Sequence, residues 1–192
     1  MLQNQKTITK ELIYKRDQNS EVGMDTVPLS SIMIRDVKTV NDSDSLPQAC
    51  RIMNEHEIGC LVVVKGEKIP VGIITERDVL RHIALDPSKA RFQMHKLMSH
   101  PLVTAQPETS LRDALFIMVS KNIRRLPVVK DSRLVGIVTD RDIYRKIATD
   151  ESLLARVIND QRLVRHVKKL QQSWLNILEE ILEKHLEKND TS

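Results

Sequence analysis

The chain has few glycines and few cysteines, and each shortage excludes a class of function. Only 5 glycines occur among the 192 residues, and none belongs to a phosphate-binding loop or a dinucleotide-binding fingerprint. The two cysteines, Cys50 and Cys60, fall in apolar stretches, with no CxxC pair and no zinc-like spacing to a histidine. We therefore expect neither a redox role nor a metal site.

Long hydrophobic runs are also missing. No stretch approaches the roughly 18 apolar residues that a membrane-spanning helix needs. The opening residues MLQNQKTITKELIYKR lack the apolar centre of a signal peptide. Because 41% of the residues are hydrophobic, the chain can still form a core. We expect a folded cytoplasmic protein without membrane insertion.

Signatures of catalysis are absent as well. There is no GxSxG elbow and no HExxH helix. The closest pair of histidines, His95 and His100, is interpreted as a pair of surface or loop residues. The net charge of +4 is dispersed, which favours anionic ligands weakly and says little about nucleic acid. We predict a protein that is not an enzyme and has no cofactor.

What the chain does contain is an internal duplication. The stretch GIITERD at 72–78 returns as GIVTDRD at 136–142. Upstream, matching pairs such as Met33 and Met98 differ by 65 positions, and one residue is lost in the turn before the repeated stretch. The duplication covers about residues 30–84 and 95–148.

Each copy predicts the element order β-α-β-β-α. VKTV and LVTA are the first strands, and LPQACRIMNEHEI and LRDALFIMVSKNI are the helices that follow. Two strands around a tight turn come next, and a last helix starts at TERD or TDRD. A copy of about 55 residues is too small to bury both faces of its sheet, so we expect the two copies to pack on each other.

The tandem β-α-β-β-α pattern resembles a pair of CBS domains, the regulatory module named after cystathionine β-synthase. The resemblance is carried by G-h-h-T-x-x-D at the end of each third strand and by RRLPVV on the second strand of the second copy. It implies an α/β fold in which CBS domains at 28–90 and 91–150 form a pseudo-two-fold pair. A flexible tail, 1–27, would precede the pair, and a long helical extension, 151–188, would follow it.

The repeated T-x-x-D has two compatible interpretations. Thr75 and Thr139 would cap the following helices, with Asp78 and Asp142 as the reciprocal partners of a capping box. The same helix N-termini present free N–H groups to a phosphate, and a carboxylate one turn inside can accept hydrogen bonds from a ribose diol.

The resemblance implies that adenine nucleotides bind in two clefts between the copies. Thr75 and Asp78 would serve one cleft, and Thr139 and Asp142 the other. Arg77, Arg141 and Arg125 are candidate partners of a phosphate, although Arg77 and Arg141 could equally be solvated arginines at a helix start. Since Arg124–Arg125 aligns with Gly59–Cys60, the two clefts should be unequal, with Arg125 favouring the one that it faces.

Further residues are candidates for contact with the adenine base. Apolar residues of this kind are more often plain core, but the candidates for the walls of a base-binding slot are Ile58, Ile123, Ile73, Ile137 and Pro127. Thr39 and Thr104 match the position in the first strand where the family's backbone contacts the base.

The C-terminal segment carries an apolar stripe at heptad spacing, formed by Leu163, Val167, Leu170, Trp174, Ile177 and Ile181. A stripe of this kind must be buried, either on the CBS pair or against a second copy of the chain, and we expect a homodimer. The basic residues beside it, such as Arg165 and Lys168, are typical of a solvated helix face and less so of a nucleic-acid contact.

Together these features predict a regulatory sensor that binds AMP, ADP or ATP and signals through a dimer to an unknown protein target in trans. Three alternatives stay open. The ligand could be S-adenosylmethionine or NAD, since a ribose-binding aspartate does not read the 5′ substituent. The chain could also be a ligand-free scaffold, or a nucleic-acid binder acting through its basic C-terminal helix.

Overall fold

The computed structural model describes residues 24–66 and 69–160, together with residues 162, 164–166 and 168. The first copy has the predicted element order, which comprises β1 (Thr39–Asn41), α1 (Leu46–Glu55), β2 (Cys60–Lys65), β3 (Ile69–Thr75) and α2 (Glu76–Leu85). A 3-10 helix, Pro87–Arg91, and the one-turn helix α3, Met94–Leu97, lead to the second copy.

The second copy repeats this order with one exception. Its elements are α4 (Leu111–Lys121), β4 (Arg125–Lys130), β5 (Arg133–Thr139) and α5 (Asp140–Thr149), and the helix α6 (Glu151–Asn159) follows them. The predicted strand LVTA is wrong, because only Ala105 bridges to Val128 there. Pro127 stands where the first copy has Val62, and a proline has no N–H to donate to a neighbouring strand.

Strand register places the repeated stretch at the same point in both sheets. In the first copy β1 runs parallel to β2, and β2 is antiparallel to β3 with Cys60 opposite Thr75. In the second copy β4 and β5 are antiparallel with Arg125 opposite Thr139. The start of each second strand therefore lies beside the end of each third strand, where the last helix begins.

The segment that precedes the first strand of each copy pairs with the other copy. Ile34 and Ile137 exchange two backbone hydrogen bonds of 3.0 Å. At the equivalent positions Ser99 N donates to Ile73 O at 2.8 Å, and Ile73 N donates to Ser99 O at 3.2 Å. We call these two segments, 24–37 and 94–102, the entering segments.

The apolar cores follow this exchange. Met24, Leu29 and Met33 of the first entering segment belong to the core of the second copy. Met94 and Leu97 of the second entering segment belong to the core of the first copy. A third cluster lies between the sheets and is formed by Val62, Val64 and Ile137 with Val37, Cys60, Ile73, Leu102 and Leu134. The expectation that the two copies pack on each other is confirmed, whereas the boundaries at 28–90 and 91–150 stay predictions.

The described part of the C-terminal extension packs on the second copy. Leu153 and Val157 of α6 are buried in that copy's core. Arg112 at the start of α4 reaches Asp25 at 3.1 Å and Asp160 at 3.2 Å, which joins the first entering segment to the end of α6. The predicted tail up to residue 23 and all six residues named for the heptad stripe lie outside the described residues.

Two glycines allow each entering segment to pack closely on the other copy. A Cβ built on Gly72 would lie 2.8 Å from Met98 Cγ, and one built on Gly136 would lie 2.9 Å from Met33 Cγ. Both methionines belong to entering segments, so each glycine leaves space for a side chain from the other copy. This is a structural reason for the glycine that opens the repeated stretch.

We expect Gly72→Ala to lower the free energy of unfolding by about 1–3 kcal/mol, because the added methyl group overpacks the contact with Met98. Chemical denaturation of the full chain measures the change. In a Met98→Ala background the same substitution should cost much less, since the clashing atoms are gone. An equal cost in both backgrounds would contradict the proposed origin of the strain.

Candidate functional site

The first repeated stretch, Gly72–Asp78, ends in a capping box on α2, and we call it the first motif. Asp78 N donates to Thr75 Oγ1 at 3.2 Å. In return Thr75 N and Thr75 Oγ1 donate to Asp78 Oδ2 at 2.9 Å and 2.7 Å. The capping interpretation of the sequence is confirmed at this helix.

The second motif, Gly136–Asp142, has the same geometry at the start of α5. Asp142 Oδ2 accepts from Thr139 N at 2.8 Å and from Thr139 Oγ1 at 2.7 Å. In both motifs the cap engages one carboxylate oxygen. Among the described residues, Oδ1 of each aspartate accepts no hydrogen bond. Each motif therefore keeps a negatively charged acceptor beside a helix N-terminus.

A third helix shows that capping alone can produce this spacing. At α4, Asp113 N donates to Ser110 Oγ at 3.1 Å, and Ser110 Oγ donates to Asp113 Oδ2 at 2.9 Å. This pair has no counterpart of the glycine-containing strand that precedes Thr75 and Thr139. The Thr–Asp spacing therefore does not identify a ligand site by itself.

The arginines inside the motifs have different exposures. Arg77 is half-buried and Arg141 is exposed. Within the described part of the chain, neither guanidinium makes an ion pair or a hydrogen bond with a protein group. Both side chains can therefore turn toward an anion at the N-terminus of their helix.

Arg125 crosses from the second copy to the first motif. Its Nη2 atom lies 3.1 Å from the point where a Cβ of Gly59 would stand, and Glu76 Oε2 lies 2.6 Å from the same point. Burial raises the pKa of the Cys60 thiol, while the charge of Arg125 and its hydrogen bond to the sulfur oppose that rise. Of the two motifs, Arg125 thus faces the one that contains Thr75 and Asp78.

Arg124, its neighbour, stays within the second copy. Its Nε donates to Asp140 Oδ2 at 2.6 Å and its Nη2 also contacts that oxygen. The Asp140 side chain is only 9% exposed. Burial raises the pKa of nearby Tyr144 to about 12, and the negative charge of Asp140 adds to the effect. The Arg124–Asp140 pair is an internal ion pair of the second copy.

Sequence reasoning missed Glu76. This residue occupies the position of Asp140, but its copy has Gly59 where the second copy has Arg124. The alignment of the two copies contained a signal. Both copies have an acidic residue at this position, but only the second copy has an arginine, Arg124, to pair with it. Only the fold reveals that a cation from the other copy, Arg125, lies nearby instead.

The five predicted apolar walls do not lie together. Ile73 and Ile137 belong to the cluster between the sheets, and Pro127 pairs with Ile137 across β4 and β5. Ile58 packs against the core of the first copy and Ile123 against that of the second. The boundary between the copies thus brings together Ile73, Ile137 and the neighbouring Pro127.

The two threonines predicted to contact the base occupy equivalent positions in the two copies, but their exposure and strand pairing differ. Thr39 lies in β1 opposite Val62 and is half-buried. Thr104 is exposed and immediately precedes the isolated bridge at Ala105. Their role in contacting a base stays a prediction.

Two other features bear on the class of site. Among the described residues, no group of three or more His, Cys, Asp or Glu side chains is arranged to hold a metal ion. The same part of the chain contains no helix that is both long and apolar enough to cross a membrane. His95, one of the close pair of histidines in the sequence, is exposed and contacts the carbonyl oxygen of Asp42 through Nδ1 at 3.1 Å.

Comparison with known sequences identifies relatives of both copies. The sequence model described as the CBS domain matches residues 29–85 and 94–149. An uncharacterized protein of Methanocaldococcus jannaschii is 37% identical over 154 residues, covering 73% of this chain and 36% of that protein. An inosine-5′-monophosphate dehydrogenase of Korarchaeum cryptofilum is 40% identical over 115 residues, covering 59% and 23%. The chain therefore spans well under two thirds of either relative.

Comparison with solved structures gives the same fold. The CBS domain pair of protein MJ0100, solved in complex with 5′-methylthioadenosine and S-adenosyl-L-methionine, matches with a TM-score of 0.59 and 28% sequence identity. The match covers 65% of this chain and 98% of that one.

The internal duplication supplies a matched test of the buried ion pair. We expect Asp140→Asn to lower the free energy of unfolding by about 3 kcal/mol, because it removes the negative charge that Asp140 places against the partly buried Arg124. The equivalent substitution in the first copy, Glu76→Gln, should change it by less than about 0.5 kcal/mol, because Glu76 is exposed. Urea denaturation of both variants measures the difference, and equal effects would contradict the assignment.

Proposed function

Because the chain belongs to the CBS domain family, we propose that it is a regulatory protein that binds adenosine-containing ligands in two clefts between its copies. The family assignment rests on two successive matches to the domain, and both copies have the expected element order except for the first strand of the second copy. The proposal extends this assignment to a ligand class and to particular residues.

The observation that carries the proposal is the state of the two motif aspartates. Each carboxylate is fixed by its capping box through Oδ2, while Oδ1 has no partner among the described residues. A carboxylate oxygen held in this way can accept hydrogen bonds from two neighbouring hydroxyl groups, as in the 2′,3′-diol of a ribose. Because the cap already orders the side chain, little rotamer entropy is lost on binding.

The 5′ side of the ligand would lie near cations. Arg77 and Arg125 are available at the first motif, and the N–H groups of the first turn of α2 add a positive partial charge. These groups favour AMP, ADP or ATP at that position. The MJ0100 complex supports an adenosyl ligand in general, and it keeps S-adenosylmethionine as the alternative within this class.

The exchange of entering segments suggests how binding could be transmitted. Ile73 precedes Thr75 by two residues and is hydrogen-bonded to Ser99 of the other copy, and Ile137 is bonded to Ile34 in the same way. A ligand at either motif would therefore favour one relative arrangement of the copies. The chain would signal as a homodimer to an unknown protein target that it regulates in trans, and it would perform no chemical step itself.

We expect Asp78→Asn and Asp142→Asn to weaken the binding of AMP, ADP or ATP at the altered motif by about 10-fold or more. In each variant the side-chain amide oxygen can keep the hydrogen bonds of the cap. The amide NH2 group, which cannot accept a hydrogen bond, then faces the ribose. Isothermal titration calorimetry with the full chain measures affinity, and the thermal midpoint checks that the fold is retained.

The matched control for these variants is Asp113→Asn, which makes the same change in the cap of α4 outside both motifs. It should leave nucleotide affinity unchanged. If Asp113→Asn weakens binding as much as Asp78→Asn, the motif aspartates are helix caps only. If the wild-type chain binds no adenosine compound, the ligand-free scaffold replaces the sensor.

A further inference from the structure

A carboxylate and a guanidinium from different copies converge over Gly59. From the distances to its absent Cβ, Glu76 Oε2 and Arg125 Nη2 are at most about 6 Å apart, within range of a screened charge interaction. A side chain at position 59 would occupy the space between them. Glycine at this position therefore permits the approach of the two charged groups.

The Arg125 guanidinium is not fixed as firmly as its neighbour. Arg124 makes two contacts to a nearly buried carboxylate, whereas the described contacts of Arg125 are with the Cys60 sulfur and, at longer range, with exposed Glu76. A neutral thiol is a weak acceptor. Arg125 can thus change partners at a smaller cost than Arg124.

We propose that Glu76 competes with the anionic group of a ligand for Arg125, and so sets the charge selectivity of the cleft at the first motif. This inference rests on the proposed function and adds to it a residue and a ligand preference. In the empty cleft Arg125 of the second copy interacts with Glu76 of the first copy. A 5′-phosphate takes over Arg125, and the interaction with Glu76 is lost.

The residues equivalent to Glu76 and Arg125 do not form such a charged pair at the second motif. The position equivalent to Arg125 is Cys60, so the first copy has a thiol where the second copy has a guanidinium. Arg124 is retained by Asp140. Phosphorylated ligands should therefore prefer the first motif, whereas an uncharged adenosine compound should distinguish the two motifs less.

The test compares Glu76→Gln with the wild-type chain by calorimetric titration with ADP and with 5′-methylthioadenosine, which carries no phosphate. Removing the competing carboxylate should tighten ADP binding by about two- to fivefold, the range expected of a partly exposed charge pair. It should leave 5′-methylthioadenosine unchanged. Glu108→Gln, which removes one exposed negative charge before α4, controls for net charge and should change neither affinity.

A double-mutant cycle assigns the effect to Arg125. In an Arg125→Gln background, Glu76→Gln should no longer tighten ADP binding, because the group for which it competes is gone. A gain of the same size in both backgrounds would show that Glu76 acts through the general field. That result would overturn the proposed competition.

The remaining outcomes separate this inference from the proposed function. If adenosine compounds bind the wild type but Glu76→Gln affects ADP and 5′-methylthioadenosine alike, the competition is wrong and the sensor stands. If no adenosine compound binds, the sensor is wrong. Inorganic pyrophosphate is then the probe. If Glu76→Gln binds pyrophosphate more tightly than the wild type, and this gain disappears in an Arg125→Gln background, the competition is supported. If Glu76→Gln leaves the affinity for pyrophosphate unchanged, the competition is overturned.

Discussion

The reciprocal pairing of the entering segments is the constraint on which the rest of the structure depends. Each copy is too short to bury its own sheet. The core of each copy is completed by residues from the entering segment that precedes the first strand of the other copy. The contacts of Met98 with Gly72 and of Met33 with Gly136 require that no side chain stand at either glycine. The two copies therefore form one packing unit, and the third strands, which lead directly into the motifs, are held by backbone hydrogen bonds from the opposite copy.

Duplication makes the two motifs alike, and packing makes their surroundings different. Both have a threonine cap and an aspartate with one oxygen engaged in that cap. The difference arises in the short stretch before the second strands, where Arg124 is neutralised inside its own copy and Arg125 reaches the other. Two sequence changes relative to the first copy thus convert a symmetric framework into one in which an arginine of the other copy reaches the first motif, whereas the equivalent residue of the first copy is Cys60. The proposed preference of phosphorylated ligands for the first motif rests on this difference.

The capping boxes link helix stability to the candidate chemistry. The geometry that satisfies the first N–H groups of α2 and α5 also orders the carboxylates and leaves one oxygen available. Helix capping and ribose binding are therefore not alternatives at the level of structure, which is why the spacing of Thr75 and Asp78 could not choose between them. The Ser110–Asp113 cap shows the structural role without the rest of the motif. Binding measurements that compare these caps separate the two roles.

The sequence by itself determined the duplication, the α/β class, the order of elements and both capping boxes, because these depend on local periodicity and on residues three positions apart. It did not determine that LVTA would be reduced to a bridge, since that depends on the missing N–H of Pro127 in a neighbouring strand. The C-terminal stripe remains a prediction. Only the tertiary structure decided that the entering segments cross over, that Arg125 faces the first motif, and that Glu76 lies beside it. Those relations join residues tens of positions apart, and they arise because two small sheets bury their apolar faces only by packing together.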